Sequence, residues 1–294
     1  MILLTGATGF LGEFVLTELV AKGYDVTCFV RKTSNIDIIK KLNVKYVYGE
    51  LDDYKSICEA LKDKDALINI ASLGFGHALN IVNACEETNV KRAIFVSTTG
   101  IFTKLNSASK AVRLEAERLI KESSLHYTII RPTMIYGTPR DRNMWRLVKY
   151  LKIISILPIL GNGTYLQQPV YVKDLAEVIV KAYENSVSVK KSYNISGAKA
   201  LTYNEVVDTT AKALGKKVLK IHIPTKLGYN FLKAYEKFTK KPILKAEQVL
   251  RLNENKDFSH EEAKNDFGYN PLSFEEGIKH EVEYLNLRKK ANIW

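Results

Sequence analysis

Residues 1–32, "MILLTGATGFLGEFVLTELVAKGYDVTCFVRK", begin with a short apolar run and then change their hydrophobic period. The run "MILLTG" predicts a buried strand, and "YDVTCFV" predicts a second one. Between them, "FLGEFVLTELVAKG" repeats apolar residues at helical spacing and ends at Gly23. The stretch therefore predicts a β-α-β unit whose first turn carries Gly6, Gly9 and Gly12.

This first turn has the features of a phosphate-binding loop. Glycine is needed where a backbone must approach a phosphate or pack a helix closely on a sheet. The free N–H groups at the start of the helix then point at the anion. Because the three glycines follow a strand and open a helix, we interpret them as a dinucleotide site rather than as turn geometry alone. The expected contacts are Gly6, Thr8, Gly9, Phe10, Leu11 and Gly12.

The composition and the spacing of particular residues exclude several classes of function. The 294-residue chain has a net charge of +12, but no nucleic-acid-binding motif accompanies that charge. No apolar run is long enough to span a membrane, and a strand beginning at Ile2 leaves no room for a signal peptide. The cysteines and histidines show no metal-ligand spacing, and the cysteines are too scattered to suggest disulfides. We therefore expect a cytoplasmic protein that binds neither metal nor nucleic acid.

Several motifs resemble one superfamily. The spacing GxxGxxG, the segment "YGELDDYKSICEAL" at 48–61 and the closing segment "FSHEEAKNDFGYNPLSFEEGI" at 258–278 resemble the extended and atypical short-chain dehydrogenases/reductases. These include NAD-dependent epimerases and dehydratases. The resemblance implies an α/β Rossmann-type fold with a doubly wound parallel sheet, which we expect to have seven strands. It also implies a dinucleotide domain over 1–160, a sheet completed by about 161–200, and a smaller substrate-binding part over 201–294.

The end of the second strand bears on which dinucleotide binds. An acid at this position favours NAD, because it binds the ribose hydroxyls. Here Arg31, Lys32 and Ser34 offer two cations and a hydroxyl, so we predict NADP, with NAD as the alternative. A solvated basic turn would explain the same residues without a ligand. The resemblance places further cofactor contacts at Glu50, Leu51, Ile70, Ala71 and Ser72.

The resemblance also locates the catalytic region, and here the chain departs from the family. Thr98 stands where a hydroxyl polarises the substrate oxygen. The helical YxxxK motif is absent: one alignment puts Ser109 and Arg113 at the tyrosine and lysine, and another puts Asn106 and Lys110 there. Either cation could hold the nicotinamide ribose. The expected wall beside the nicotinamide is formed by Arg131, Pro132 and Thr133.

Without the family tyrosine, the proton donor must come from elsewhere. The candidates in the second half are Tyr136, Tyr165, Tyr171 or a bound water. We predict that the catalytic residues are Thr98, Arg113, Lys110 and Tyr136. If nothing replaces the tuned tyrosine, turnover should be slower by about 10²–10⁴-fold.

Two later stretches combine lysines or arginines with apolar and aromatic residues. They are "RDRNMWRLVKYLKIISILPILG" at 140–161 and "PTKLGYNFLKAYEKFTKKPILK" at 224–245. Helices of this composition can lie on an anionic membrane, which would place the protein at the inner face of the membrane. The alternative is a substrate-domain helix with a solvated basic rim.

Two functions follow from these residues. The first is an NAD(P)-dependent oxidoreductase or epimerase acting on a nucleotide-linked or lipid-linked sugar, for example a 4-keto-sugar reductase. The second is a non-catalytic dinucleotide-binding protein, similar to the regulatory NmrA-like proteins or to the accessory subunit of respiratory complex I. The substrate-side segments favour an enzyme. The sequence leaves the oligomeric state open.

Overall fold

The structure is a computed structural model that describes residues 1–105, 108–141, 143–239 and 253–290. Its strands are β1 Ile2–Thr5, β2 Val26–Val30, β3 Lys45–Tyr48, β4 Ala66–Asn69, β5 Arg92–Val96, β6 His126–Pro132, β7 Ile135–Tyr136, β8 Ile156–Leu160, β9 Leu166–Gln167, β10 Val170–Tyr171, β11 Lys191–Ile195, β12 Leu201–Thr202 and β13 Leu219–Ile223. Its helices are α1 Phe10–Ala21, α2 Asp37–Lys41, α3 Tyr54–Leu61, α4 Ala78–Glu87, α5 Ala108–Glu122, α6 Met144–Ile153, α7 Val172–Glu184, α8 Tyr203–Ala213, α9 Thr225–Phe238, α10 Glu261–Phe267 and α11 Phe274–Lys290.

Seven parallel strands form the central sheet in the order β3-β2-β1-β4-β5-β6-β11. The strand order reverses between β1 and β4, which are neighbours in the sheet although five elements, α1, β2, α2, β3 and α3, separate them in sequence. Ligands of open α/β sheets bind in the crevice beyond such a switch point. The predicted α/β Rossmann-type fold with seven parallel strands is confirmed.

Both faces of the sheet are covered by helices, because the inner strands are apolar on both sides. Successive residues of β1 show the alternation: Leu4 packs with α1 and α7, whereas Leu3 packs with α3, α4 and α5. The strand residues Ile2–Thr5 are all buried. These two cores hold the carboxyl ends of the strands at one edge, where the candidate site lies.

A smaller part of the molecule is built on that edge from three two-stranded sheets, which pair β7 with β10, β9 with β12 and β8 with β13. Helix α8 packs against α6 and α11. It begins at a capping box: the Thr202 hydroxyl accepts from the Glu205 amide, and the Glu205 carboxylate accepts from the Thr202 amide. The division of the chain near residues 160 and 200 stays a prediction.

Candidate cofactor and active site

A cleft of about 1770 Å³ runs along the carboxyl ends of the strands. One end lies over β1, β2, β3 and β4, and we call this the glycine-loop half. The other end lies between the β5 and β6 turns and residues of the smaller part, and we call this the far half. The residues that line the cleft come from both ends of the sheet and from segments as distant as Glu254 and Lys256.

The glycine loop is shaped by backbone contacts that a side chain would block. Gly6 has φ of +72°, and a Cβ there would lie 2.7 Å from the Ala71 amide nitrogen. The Gly9 amide donates to the Gly6 carbonyl at 2.9 Å, and a Cβ at Gly12 would overlap that same carbonyl. All three glycines line the cleft at the start of α1. The loop thus offers an open, N–H-rich helix start to an anion.

The turn after β4 is fixed against the glycine loop. The Thr5 hydroxyl donates to the Asn69 side chain at 2.6 Å, and Asn69 donates to the Ala71 carbonyl at 3.0 Å. Both side chains are buried. This network places Ile70, Ala71 and Ser72 along the cleft, where the resemblance expected them.

The turns after β2 and β3 form the outer end of the glycine-loop half. The Gly49 amide donates to the Val30 carbonyl at 3.0 Å, so the residues that follow the two strands stay side by side. Arg31, Ser34, Glu50 and Leu51 line the cleft there. Lys32 is exposed and is not among the lining residues, so only one of the two predicted cations faces the site.

The far half begins at the β5 turn. Ser97, Thr98 and Thr99 line it, and the Thr98 hydroxyl accepts from the Gly100 amide at 3.1 Å. Ser109 and Arg113 of α5 face the same space.

The two cations of α5 are directed differently. The Arg113 guanidinium packs against Gly74 and donates to the Ser109 carbonyl at 3.2 Å. Lys110 instead donates to the Thr103 carbonyl at 2.6 Å and does not line the cleft. The structure therefore brings the Ser109–Arg113 pair to the site; Asn106, from the other alignment, lies outside the described residues.

Arg131 points below the cleft instead of into it. Its guanidinium forms an ion pair with the buried Glu117 and lies 5.5 Å from the centre of the Phe102 ring. The Ser97 hydroxyl donates to the same carboxylate at 2.6 Å. This buried group ties β5, β6 and α5 together, which holds the Thr98 turn in place. The next two residues, Pro132 and Thr133, do line the cleft.

The tyrosines named from the sequence lie away from the reacting end. Tyr136 is buried between Tyr171 and Phe274, and its hydroxyl packs on Gly277 of α11. Tyr171 is buried beside it, and Tyr165 lines a separate pocket of about 340 Å³. Burial raises the pKa of the Tyr136 hydroxyl, which opposes its ionisation. Among the described residues, the tyrosine that lines the cleft is Tyr203, which the sequence did not single out.

Arg140 is a further residue that sequence patterns missed. It donates to the Thr8 carbonyl at 2.8 Å and forms an ion pair with Glu13 in the first turn of α1. It therefore closes the glycine loop from the opposite side of the cleft. No local pattern marks it, because its partners lie more than 120 residues earlier in the chain.

Two buried acids sit behind Arg140. Glu281 of α11 is fully buried and Asp141 nearly so, and neither Glu281 oxygen has a hydrogen-bond partner among the described residues. Burial and the neighbouring Asp141 carboxylate raise the pKa of Glu281 to about 10. Glu281 is therefore protonated at neutral pH. One oxygen of the neighbouring Asp141 accepts from the Asn143 and Trp145 amides.

The remaining lining residues of the far half combine cations with apolar groups. Arg146, Met144 and Leu147 come from α6, Val206 comes from α8, and Lys256 follows the second basic stretch. No cluster of three potential metal ligands occurs among residues 1–105, 108–141, 143–239 and 253–290.

The shape of the glycine loop decides whether a dinucleotide fits the cleft. Gly6, Gly9 and Gly12 leave open the space that side chains would fill, and they do so where a helix start meets a switch point in the sheet. Consistent with this geometry, residues 6–186 match the family model described as NAD(P)H-binding. The chain belongs to the NAD(P)H-binding family. The prediction of an NAD(P)-binding domain is thereby confirmed, and the individual cofactor contacts stay predictions.

Curated members of related families resemble the chain at low identity. A phenylcoumaran benzylic ether reductase of Nicotiana tabacum is 26% identical over 76% of this chain and 77% of its own length. A 2-alkyl-3-oxoalkanoate reductase of Stenotrophomonas maltophilia is 24% identical over 95% and 97%. A mitochondrial NADH dehydrogenase 1 alpha subcomplex subunit 9 of Arabidopsis thaliana is 27% identical over 69% and 55%.

Solved structures of other proteins share the fold of this NAD(P)H-binding protein. The crystal structure of gox2253 superposes with a TM-score of 0.81 at 20% identity, covering 98% of both chains. The UDP-glucose 4-epimerase of Thermotoga maritima has a TM-score of 0.74 at 20% identity, covering 98% of this chain and 99% of its own. The shared fold and the NAD(P)H-binding family match both agree with the resemblance drawn from the sequence motifs.

Proposed function

We propose that the protein is an NADP(H)-dependent oxidoreductase that reduces a carbonyl group of a nucleotide-linked sugar. One observation carries the proposal: the cleft has a volume of about 1770 Å³ and continues past Thr98 into the far half. Pockets for a single small molecule usually occupy about 300–1,000 Å³. The space therefore suits a dinucleotide and a second ligand together, which a bare cofactor sensor would not need.

NADP is favoured over NAD by the outer end of the glycine-loop half. Arg31 and Ser34 line the site where a 2′-phosphate would lie, and the turn after β2 supplies no acid. A charge-assisted hydrogen bond from the guanidinium would stabilise that phosphate selectively.

When bound, the reduced nicotinamide supplies a hydride to the carbonyl carbon. Thr98 is the hydroxyl in place to donate to the carbonyl oxygen as negative charge develops on it. Arg113 holds the ribose side of the cofactor, in place of the family lysine. Water in the cleft supplies the proton that completes the alcohol. The Thr98 or Ser109 hydroxyl passes this proton to the substrate oxygen. No tuned tyrosine is available at this position, so turnover should be slow.

The substrate class follows from the lining of the far half. Arg146 and Lys256 offer positive charge for a diphosphate, and the Tyr203 ring offers a surface for a sugar or base. The fold shared with a UDP-glucose 4-epimerase supports the same class. The 4-keto sugars are the natural oxidised substrates for such a site.

The second candidate is a non-catalytic dinucleotide-binding protein. The Ser109–Arg113 pair favours it, because neither residue reproduces a tyrosine tuned by a lysine. The resemblance to a complex I accessory subunit suggests a protein complex as the partner in that case.

Turnover by the unmodified protein separates the two candidates. NADPH absorbance is followed with a series of UDP- and dTDP-linked 4-keto sugars, and we expect oxidation with at least one. Arg146→Ala should raise the KM for that sugar about tenfold or more, whereas Lys149→Ala, one turn further along α6 and exposed, should not. Tight NADPH binding without oxidation of any of these sugars would favour the non-catalytic protein.

A further inference from the structure

The two-stranded sheet of β8 and β13 has one buried side and one exposed apolar side. Leu157 and Ile159 face inward and pack against α8. The alternate residues Ile156 and Pro158 pair with Leu219 and Ile221, and all four are exposed, Leu219 by 61%. Exposed apolar residues in adjacent register form a continuous patch, which is unusual on a solvated surface.

Helix α9 extends this patch. Its inner side meets β8, because Gly228 is buried against the Leu160 side chain. About 60–100° around the helix from Gly228, Leu227, Phe231 and Phe238 are 63%, 73% and 89% exposed. At about 100° per residue, these three positions fall within roughly 40° of one another on the helix. The helix therefore turns one apolar stripe outward.

The end of α6 completes the same surface. Ile153 is 79% exposed, and it lies three residues before the exposed Ile156 of β8. We call the whole set the outer face, and it consists of Ile153, Ile154, Ile156, Pro158, Leu219, Ile221, Leu227, Phe231 and Phe238.

The charge around the outer face is mostly positive, and Glu236 of α9 lies about 180° from Leu227 on the helix. The sequence contains no Asp or Glu from residue 142 to 173 or from 209 to 235, the two stretches that supply most of the face. Lys149, Lys217, Lys226 and Lys233 are exposed along them. Lys226 and Lys233 flank the apolar stripe of α9 on one side, about 100–120° from Leu227. The nearby Asp208 is already paired with Lys220.

We propose that the outer face docks the protein on an anionic lipid bilayer. Aromatic and aliphatic side chains would enter the boundary between headgroups and acyl chains, while the flanking lysines would contact negative headgroups. Lysine is depleted at protein–protein interfaces, and a symmetric contact between two copies would set these lysine rims against each other. A bilayer is therefore the better match to this combination. No helix among the described ranges is long and apolar enough to cross a membrane, so docking would be peripheral.

Docking would also place the cleft near the membrane. Helix α6 lines the far half with Met144 and Leu147 and reaches the outer face at Ile153. A helix of this length spans about 15 Å. The proposal does not depend on the chemistry of the cleft, because none of the residues in the outer face lines it.

The test is co-sedimentation of the full chain with vesicles at physiological salt. Vesicles of phosphatidylcholine and phosphatidylglycerol at 3:1 should pellet the protein, and pure phosphatidylcholine vesicles should pellet much less. The pair Phe231→Ser with Phe238→Ser should lower the partition coefficient about tenfold or more. Tyr48→Ser, an exposed aromatic at the far edge of the central sheet, is the matched control and should leave it unchanged.

Charge reversal tests the electrostatic half of the proposal. Lys226→Glu with Lys233→Glu should lower partitioning about tenfold, whereas Lys55→Glu on α3 should have little effect. Melting temperature and NADPH affinity of each variant are measured to show that it is folded. The proposal is overturned if the protein does not pellet, or if the control variants lose as much binding as the test variants. It is also overturned if light scattering shows that the unmodified protein is a dimer and that the Phe231→Ser variant is a monomer.

Discussion

The glycine-loop half of the cleft is built almost entirely from turns that directly follow β1, β2, β3 and β4. The far half is assembled from the β5 and β6 turns, α5, α6, α8 and the segment near Lys256. In the first region, backbone atoms supply most of the groups that would contact a cofactor, and the absence of side chains at the glycines leaves the space open for it. In the second region the proposed chemistry depends on individual side chains such as Thr98 and Arg113. A backbone site tolerates little change in shape, whereas a side-chain site can change its reaction by substitution.

The largest effect is expected where the backbone is most crowded. Gly12→Val should lower cofactor affinity by about a thousandfold or more, because its side chain would overlap the Gly6 carbonyl and distort the loop. Isothermal calorimetry with NADPH measures the loss. Gly23→Asn, at a helix end with open space around it, is the control and should bind normally. Near-normal binding by Gly12→Val would show that the loop does not hold the cofactor.

The two cations of α5 offer a sharper comparison inside the far half. Arg113→Met should weaken cofactor binding about 10- to 100-fold, because it removes a charged group from the cleft. Lys110→Met should change binding less than about twofold, since the ammonium group contacts the Thr103 carbonyl instead. Fluorescence titration with NADPH compares them directly. A larger loss at Lys110 would reverse the assignment.

A smaller effect is expected at the outer end of the glycine-loop half. Arg31→Ala should reduce the preference for NADPH over NADH by about tenfold, because one charge-assisted contact to the 2′-phosphate is lost. Lys32→Ala is the neighbouring control, and it should keep the preference because Lys32 does not line the cleft. Equal affinities of the unmodified protein for both cofactors would contradict the NADP assignment.

The smallest effect concerns the free energy of unfolding, which should depend on pH through the buried Glu281 behind the far half. The pKa of Glu281 rises from 4.5 to about 10 on folding, so the folded protein holds a proton that the unfolded chain releases. Stability should therefore fall as pH rises between about 4.5 and 10. Glu281→Gln should flatten that dependence and raise the melting temperature at pH 8 by about 2–6 °C.

Thermal melts across this pH range check the prediction. Asp208→Asn, an exposed acid paired with Lys220 on the surface, serves as the control and should leave the slope unchanged. An unchanged slope in Glu281→Gln would show that the carboxyl is ionised in the folded protein.

The contrast between the two halves also explains what the sequence could predict. The strand–glycine–helix pattern depends on residues 1–32 alone, so it predicted the fold and the glycine loop that lines the cleft. Arg31, Ser34, Glu50 and Ile70 follow strands, and the parallel sheet brings strand ends together. All four line the cleft.

The far half was less accessible to sequence reasoning, for a physical reason. Arg131 and Tyr136 follow the family pattern in sequence, but Arg131 is engaged by Glu117 and Tyr136 is buried under α11. Arg140, Asp141 and Glu281 gain their environment only from tertiary packing between distant segments. No local periodicity encodes such contacts, so hydrophobic pattern and motif spacing could not reveal them.

The contact between Tyr136 and Gly277 has a consequence for synthesis of the chain on the ribosome. The central sheet can be complete once Ile195 has emerged, because β11 is its last strand. The Tyr136 ring, however, stays uncovered until Phe274 and Gly277 of α11 arrive some 80 residues later. During that interval the nascent protein exposes an apolar surface beside a finished Rossmann core. Helix α11 therefore packs only after the central sheet can be complete, and a chain truncated before it should engage chaperones although its sheet is intact.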